Sequence, residues 1–265
     1  MNGDIALWLI QDGVTSGAIY ALLALALLLV FAVTRIIFVP QGDFISYAGL
    51  TLGTLQLGQV PGTIYLLAGG AVLVAGMDAA EALRARAPAR LLRIGMLKLG
   101  LPLAVAAFAA WAAPHKFAPV VQMAITLAIV VPLGPMLYRI AYRPLANASA
   151  LVLFIVSMAA HYMLTGLGLV LFGGEGLRSN AISDLKFNLG VLNISAQSLW
   201  VMGSSLVCMT ALWLFFEYTL YGTALRATAI NRIGARLVGI PSALAQKEAK
   251  ASSRPTARAP SAASG

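Results

Sequence analysis

The decapeptide ALLALALLLV, residues 21–30, decides the class of this protein because it carries no polar side-chain atom. It belongs to an apolar run from about Val14 to Thr34 that ends at Arg35. A run of about 20 apolar residues crosses a bilayer as a helix, since hydrocarbon offers no partner to free backbone groups. The run follows Asp4 and Asp12 and lacks a basic n-region, so we interpret it as a retained first span rather than a cleaved signal peptide.

The composition of the whole chain is that of a membrane protein. Its 265 residues are 60% hydrophobic and 10% charged, with a mean hydropathy of +0.87, whereas soluble domains carry about 25% charged residues. The single cysteine, Cys208, excludes an intrachain disulfide, and two histidines are too few for a recognisable metal site. No phosphate-binding loop, zinc-protease helix or nucleophile elbow occurs in the sequence. We therefore predict no enzyme activity, catalytic residue, cofactor or metal in this chain.

Seven apolar segments predict an all-α integral membrane protein, a polytopic helical bundle with about seven spans. The second and third segments are short and rich in glycine, so one of them is expected to be discontinuous or re-entrant. The predicted spans are at about 14–34, 44–58, 61–77, 94–113, 117–137, 150–172 and 197–216.

Basic residues predict which face of the membrane each loop occupies, because Lys and Arg accumulate in short cytoplasmic loops. Seven crossings with the N-terminus outside place 15 of the 18 basic residues on the cytoplasmic side, along with the C-terminus. Only Lys116, Arg178 and Lys186 fall outside. The net charge of +9 therefore indicates topology, and nucleic acid is not an expected partner.

The chain divides into three predicted parts. Residues 1–217 form the transmembrane bundle, within which 78–93 is interpreted as a basic amphipathic loop or surface helix. Residues 218–240 form a cytoplasmic segment. Residues 241–265 include 16 Ala, Ser or Pro among 25, with Leu244 as the only large aliphatic side chain, and are predicted to be disordered.

The stretch RIIFVPQGDFISYAGLTLGTLQLGQV, residues 35–60, departs from a lipid-facing span because Pro40, glycines and polar residues interrupt it. Broken backbone at membrane depth is tolerated only where it is buried in protein or lines a wet cavity, as in many transporters. Tight helix packing, with Gly49 and Gly53 as a small-xxx-small pair, is the alternative interpretation. The candidate translocation path is Gln41, Gly42, Asp43, Ser46, Gly49, Gly53 and, from another span, His161.

Two of these path residues are ionisable. Asp43 is the only carboxylate close to the broken segment, and its predicted place at the cytoplasmic end favours helix capping over ion coupling. No other carboxylate falls inside a predicted span, which argues against ion-driven transport by this chain. His161 lies at the centre of an apolar span, where it either contacts substrate, relays protons or bonds to a neighbouring helix.

The segment YGTALRATAINRIGARLVGI, residues 221–240, predicts an amphipathic helix after the last span. Ile230, Ile233 and Leu237 fall on one side of the helix, and Arg232 and Arg236 on another. Such a helix either rests on anionic lipid or docks in a groove of a cytosolic subunit.

Five short motifs in order, over about residues 14–240, resemble the permease subunits of bacterial branched-chain amino acid ABC importers, in particular the subunit with a Tyr-Arg-Pro-Leu loop. The motifs are Gly17-Ala18-Ile19-Tyr20-Ala21-Leu22, Thr34-Arg35-Ile36, Gln41-Gly42-Asp43-Phe44, Tyr142-Arg143-Pro144-Leu145-Ala146-Asn147-Ala148-Ser149, and Gly222-Thr223-Ala224-Leu225-Arg226-Ala227-Thr228 with Asn231, Ala235-Arg236-Leu237 and Gly239-Ile240.

The resemblance implies a multi-pass subunit of the bacterial inner membrane that translocates branched-chain or related amino acids. It implies four kinds of partner: a second permease subunit, two cytosolic ATPase subunits that hydrolyse ATP, a periplasmic amino-acid-binding protein and the lipid bilayer. It also favours the groove over the lipid for the cytoplasmic helix. The implied ATPase-coupling positions are Leu225, Arg226, Ala227, Ala235, Arg236, Leu237 and Gly239.

Two departures from the family pattern leave alternatives open. Phe38 stands where the family usually has Asn, and relatives continue after the Gly-Ile pair into further spans, so the resemblance implies a C-terminally shortened chain. One alternative is a degenerate or truncated permease that acts only as a structural partner. Another is an ion-coupled secondary carrier.

Overall fold

The computed structural model describes residues 3–34, 36–84, 98–115, 117–145, 148–177, 179, 186–189, 192–230 and 234. Apart from one β-hairpin, the regular structure in these residues is helical. The helices are α1 (Gly3–Thr34), α2 (Gln41–Gln56), α3 (Thr63–Arg84), α4 (Leu101–Ala112), α5 (Pro119–Val130), α6 (Leu133–Leu137), α7 (Ala150–Phe172), α8 (Ala196–Tyr218) and α9 (Leu220–Ile230). The hairpin joins antiparallel strands β1 (Lys186–Leu189) and β2 (Leu192–Ser195), with Lys186 opposite Ser195.

Within the described residues, five helical segments are long and apolar enough to cross a membrane. They are Trp8–Phe31, Thr63–Arg84, Pro119–Leu145, Ala150–Phe172 and Ala196–Tyr218. The prediction of an α-helical, multi-pass membrane protein is confirmed at this level. The two remaining predicted spans coincide with α2, which has 16 residues, and α4, which has 12, and neither α-helix by itself reaches the length of an independent span.

Helix ends follow the local sequence. Ser149 and Ser195 precede α7 and α8, and their hydroxyl oxygens accept hydrogen bonds from the backbone N–H groups of Val152 at 3.4 Å and Ser198 at 3.2 Å. Gly173 ends α7 with a φ of 79°, a backbone conformation that favours glycine. These caps set the boundaries of two spans that the sequence predicted closely.

A π-helical turn, Tyr138–Tyr142, follows α6 and leads into a 3₁₀ turn, Arg143–Leu145. Both lie in the segment Pro119–Leu145, whose helix is also interrupted between Val130 and Leu133. Proline at position 132 accounts for that first interruption, because it lacks an N–H to donate within the helix. π turns of this kind often occur at functional sites.

The interior consists of two apolar clusters. In the first, α3 packs against α4, α5 and α6 through Leu67, Ala71, Ala109 and Ile129, and the alanines allow close approach of the helix backbones. In the second, α2, α7 and the π turn meet around Tyr47, Tyr142, Leu153 and Leu164. Helices α1 and α8 pack on each other and leave most of their large apolar side chains exposed, as expected for surfaces that contact lipid.

The structure corrects one part of the predicted organisation. Helix α3 continues to Arg84, so Asp78 and Glu81 belong to a helix that is long and apolar enough to cross a membrane and not to a loop that begins at residue 78. This candidate span therefore contains carboxylates, which differs from the prediction that no carboxylate other than Asp43 falls inside a span. Residues 85–93 of the predicted loop and the predicted disordered tail, 241–265, lie outside the described residues.

Candidate functional site at the start of α2

The chain between α1 and α2 returns along α1 in a non-helical conformation. Helix α1 ends at Thr34, yet the side-chain amide of Gln41 donates a 2.9 Å hydrogen bond to the carbonyl oxygen of Leu23, well inside α1. Residues 36–40 contain no helix, and Ile36 and Pro40 are buried. Helix α2 therefore begins beside the middle of α1 and not at its end.

The contacts of Asp43 place the start of α2 beside the middle of α7 as well. One carboxylate oxygen of Asp43, Oδ2, lies 2.8 Å from Nδ1 of His161, and Oδ1 lies 3.4 Å from Oγ1 of Thr165. His161 is near the centre of the 23-residue helix α7. Irregular backbone and the first turn of α2 thus lie beside the middle of two helices that are long and apolar enough to cross a membrane. Discontinuous helices of this kind occur at the binding sites of many transporters.

Two further polar contacts, and one packing contact nearby, fix the position of α2. The hydroxyl of Tyr47 donates a buried 2.6 Å hydrogen bond to the carbonyl oxygen of Leu164 in α7. The hydroxyls of Thr51 and Thr63 lie 2.8 Å apart, both buried, and join α2 to the start of α3. Gly62 packs against Leu171 near the end of α7. Helix α2 therefore runs from the middle of α7 towards the C-terminal end of α7.

Helix α2 also determines the positions of the other predicted path residues. Gly42, Ser46 and Gly49 are exposed in this chain, and Gly53 is buried. The Ser46 hydroxyl donates to the carbonyl oxygen of Gly42 at 3.2 Å within the helix. A side chain at Gly49 would meet no other atom within 4 Å, so Gly49 is not a point of close helix approach among the described residues.

Asp43 does not act as the helix cap that the sequence suggested. It lies in the first turn of α2, where its charge interacts favourably with the helix dipole, but α2 has no side-chain capping hydrogen bond. Its carboxylate instead contacts His161 and Thr165 of α7. His161 accordingly has the bond to a neighbouring helix that was one of its predicted roles.

A second polar cluster, not predicted from the sequence, lies where α3, the π turn and the residues before α4 meet. Asp78 forms ion pairs with Lys98 and Arg139, and its side chain is only 6% exposed. Arg139, 10% exposed, also contacts Glu81 at 2.9 Å. Arg143 lies 3.5 Å from Glu81 and 3.8 Å from Asp78. One buried carboxylate thus holds three segments together.

The π turn connects the two polar clusters. Arg139, at its beginning, contacts Asp78, and the hydroxyl of Tyr142, at its end, lies 2.8 Å from the hydroxyl of Ser157 in α7. Phe38 stacks on Phe44 with ring centroids 5.8 Å apart and contacts Tyr142 at 5.9 Å. Phe38 therefore fills the space beside the broken segment with an apolar contact.

Of the predicted ATPase-coupling positions, Leu225, Arg226 and Ala227 lie in α9, which packs against α8. Gly222 permits this packing, because a side chain there would overlap the backbone of Phe215 and Phe216. Arg226 contacts Glu217 at 2.8 Å. The other four positions, Ala235, Arg236, Leu237 and Gly239, lie outside the described residues.

Comparisons with known proteins add no assignment. No protein-family model, no curated protein and no solved structure matches the chain. Among the described residues, no group of three or more His, Cys, Asp or Glu side chains could hold a metal ion. The functional groups on the side chains at the start of α2 are the Gln41 amide, the Asp43 carboxylate, the His161 imidazole and the hydroxyls of Ser46 and Thr165.

Proposed function

We propose that this chain is a membrane-spanning permease subunit of an ATP-driven importer of branched-chain or related amino acids in the bacterial inner membrane. The observation that carries the proposal is the start of α2 beside the middle of α7. Two independent features then coincide, because the Gln41-Gly42-Asp43-Phe44 motif of the family resemblance is also the first turn of this broken helix. The translocation path would pass along Gln41, Asp43 and His161.

Seven crossings are part of this proposal, with the N-terminus outside and the C-terminus in the cytoplasm. Residues 36–56 would cross as one discontinuous span, since α2 reaches the C-terminal end of α7 although it begins beside its middle. Residues 98–115 are continuously helical and about 27 Å long at the usual rise per residue, enough for a second short crossing. Lys98 starts this crossing at the Asp78 cluster.

The proposed partners follow from the family resemblance. A second permease would complete the path, two cytosolic ATPases would hydrolyse ATP, and a periplasmic binding protein would deliver the amino acid. Helix α9 and the residues after it would dock in an ATPase groove. Movement of that helix would then couple ATP binding to the two access states of the path.

Co-purification with a cognate ATPase tests the importer proposal. The full-length chain should retain the ATPase, whereas Arg236→Glu and Leu237→Asp should release it, because each places charge on the docking surface. Lys247→Glu, in the tail segment, is the control and should bind as the parent chain does. Failure of the parent chain to bind, or equal binding by all variants, would exclude the coupling assignment.

The Asp43–His161 pair favours a second candidate, an ion-coupled secondary carrier. Such carriers use ionisable groups within the membrane, and the Asp43 side chain is only 11% exposed. A carrier would accumulate branched-chain amino acids in proteoliposomes under an ion gradient without any ATPase. An importer subunit would transport only when the ATPases and ATP are supplied.

A further inference from the structure

Asp43 and His161 form a titratable pair within the membrane-embedded part of the bundle. Their closest atoms, Oδ2 and Nδ1, are 2.8 Å apart, and the side chains are 11% and 35% exposed. A carboxylate accepts hydrogen bonds, and an imidazole donates from each protonated nitrogen. Counted from an ionised Asp43 and a neutral His161, the pair can therefore hold no added proton, one shared proton or two protons.

The elements packed around this pair add little competing charge. Helix α5 contains no ionisable side chain. The 3₁₀ turn Ala113–His115, which also packs against α2, carries His115, and His115 contacts the carbonyl oxygen of Trp111. Helix α1 has Asp4, Asp12 and Tyr20 in its sequence. Tyr47 of α2 is bonded to Leu164, and Tyr162 of α7 has its ring centroid 5.4 Å from that of His161. The π and 3₁₀ turns carry Tyr138, Arg139, Tyr142 and Arg143, of which the arginines contact Asp78 and Glu81 and Tyr142 contacts Ser157. Among the described residues, no Lys or Arg forms an ion pair with Asp43.

The number of bound protons decides how strongly the Asp43 and His161 side chains attract each other. With one shared proton the pair has no net charge, which suits a low-dielectric site. A second proton, taken from water, adds to the Asp43 carboxylate. The neutral acid then faces a charged imidazolium, the ionic attraction is lost and the pair carries a net positive charge.

We propose that Asp43 and His161 are a proton-binding site whose second proton releases the start of α2 from α7. Among the α2–α7 polar contacts described above, the 2.8 Å contact is the one that joins two ionisable side chains. The Tyr47 hydroxyl bonds to a backbone carbonyl oxygen, and the Thr165 hydroxyl reaches the same Asp43 carboxylate at 3.4 Å. Release would open the broken segment at residues 36–43 to water. The ligand of this site is the proton, whichever energy source drives transport.

Distance measurements between spin labels test the proposed release. The labels are placed by Ile45→Cys and Met163→Cys, both exposed positions, in the full-length chain with Cys208→Ser and His115→Gln, reconstituted in lipid nanodiscs. We expect a short α2–α7 distance at neutral pH that is lost reversibly on acidification. Asp43→Asn combined with His161→Gln preserves side-chain volume and should make the distance independent of pH.

A second measurement needs no change in the pair itself. With His115 replaced, His161 is the only imidazole, and its ¹⁵N resonances report protonation directly. They should change over the same pH interval as the label distance. A constant distance in the parent chain, a pH response that persists in the double variant, or distance and resonance changes at different pH would each overturn the proposal. The ATPase co-purification result does not affect these outcomes.

Discussion

At the scale of single residues, Asp78 forms more ion pairs than any other carboxylate among the described residues. It is buried, it belongs to a helix that is long and apolar enough to cross a membrane, and it contacts cations before α4 and in the π turn. Buried ion pairs are weak evidence for net stability, yet removal of one partner is expensive because it leaves the other charge buried and uncompensated. Arg139, nine-tenths buried, is that other charge.

Replacement of Asp78 by Asn should therefore lower the free energy of unfolding by about 3–5 kcal/mol. The matched control is Glu81→Gln, since the Glu81 side chain contacts the same arginine but is 61% exposed, and its loss should cost about 0–1 kcal/mol. Unfolding of the purified chain by SDS in mixed micelles, followed by circular dichroism, measures both. Equal effects of the two substitutions would contradict the central role of Asp78.

Tyr47 provides a second test with a single side chain, for which we expect a smaller loss of stability. Tyr47→Phe removes the buried hydrogen bond to the Leu164 carbonyl and should destabilise the chain by about 0.5–1.5 kcal/mol, because that carbonyl lies within a helix and is not left without a partner. Tyr162→Phe, at an exposed position of α7, should be nearly neutral. The same SDS titration reports both values, and a neutral Tyr47→Phe would mean that this bond does not hold α2.

At the scale of elements, Gly62, just before α3, lies close to the end of α7. An added Cβ at Gly62 would lie 2.9 Å from Cβ and 3.0 Å from the carbonyl oxygen of Leu171. Because one of these atoms belongs to the backbone, the helices must move apart to accept it.

Gly62→Ala should accordingly destabilise the chain by about 1–3 kcal/mol. The control is Gly69→Ala in α3, where an added Cβ would meet nothing within 4 Å and should stabilise the helix by about 0.5–1 kcal/mol. Opposite signs for two identical substitutions are the expected result in unfolding measurements. If Gly62→Ala also stabilises the chain, α3 and α7 are not in close contact at this point.

The local sequence pattern predicts the long apolar helices. It fails to predict features that depend on a contact with a residue far away in the sequence. Helices α7 and α8 follow directly from apolar runs with serine caps, and α1 contains the predicted apolar run but begins earlier, at Gly3. The end of α3 was placed too early because Asp78 and Glu81 read as surface residues, and nothing near them in the sequence reveals Arg139. Asp43 and His161 were each singled out, but their contact across the fold is not readable from one sequence.

At the scale of the whole molecule, the proposed seven crossings predict which positions a membrane-impermeant reagent can label from outside the cell. Single cysteines in a Cys208→Ser background at Val60 and Ser179 should react with a membrane-impermeant maleimide from outside intact cells, since the two positions follow α2 and α7 at one end of the bundle. Thr223→Cys in α9 should react only after permeabilisation. Labelling of Thr223 and Ser179 from the same side would exclude the proposed topology.

The ion pair between Asp78 and Arg139 also has a consequence for the synthesis and assembly of the protein. The two residues are 61 positions apart, so at ordinary synthesis rates the ribosome delivers the arginine about 3–12 s after the aspartate. During that interval the Arg139 partner of Asp78 does not yet exist. We therefore expect the packing of α3 against the π turn to be completed only after Arg139 has been synthesised, which makes assembly of this part of the bundle a collective event and not a sequence of independent ones.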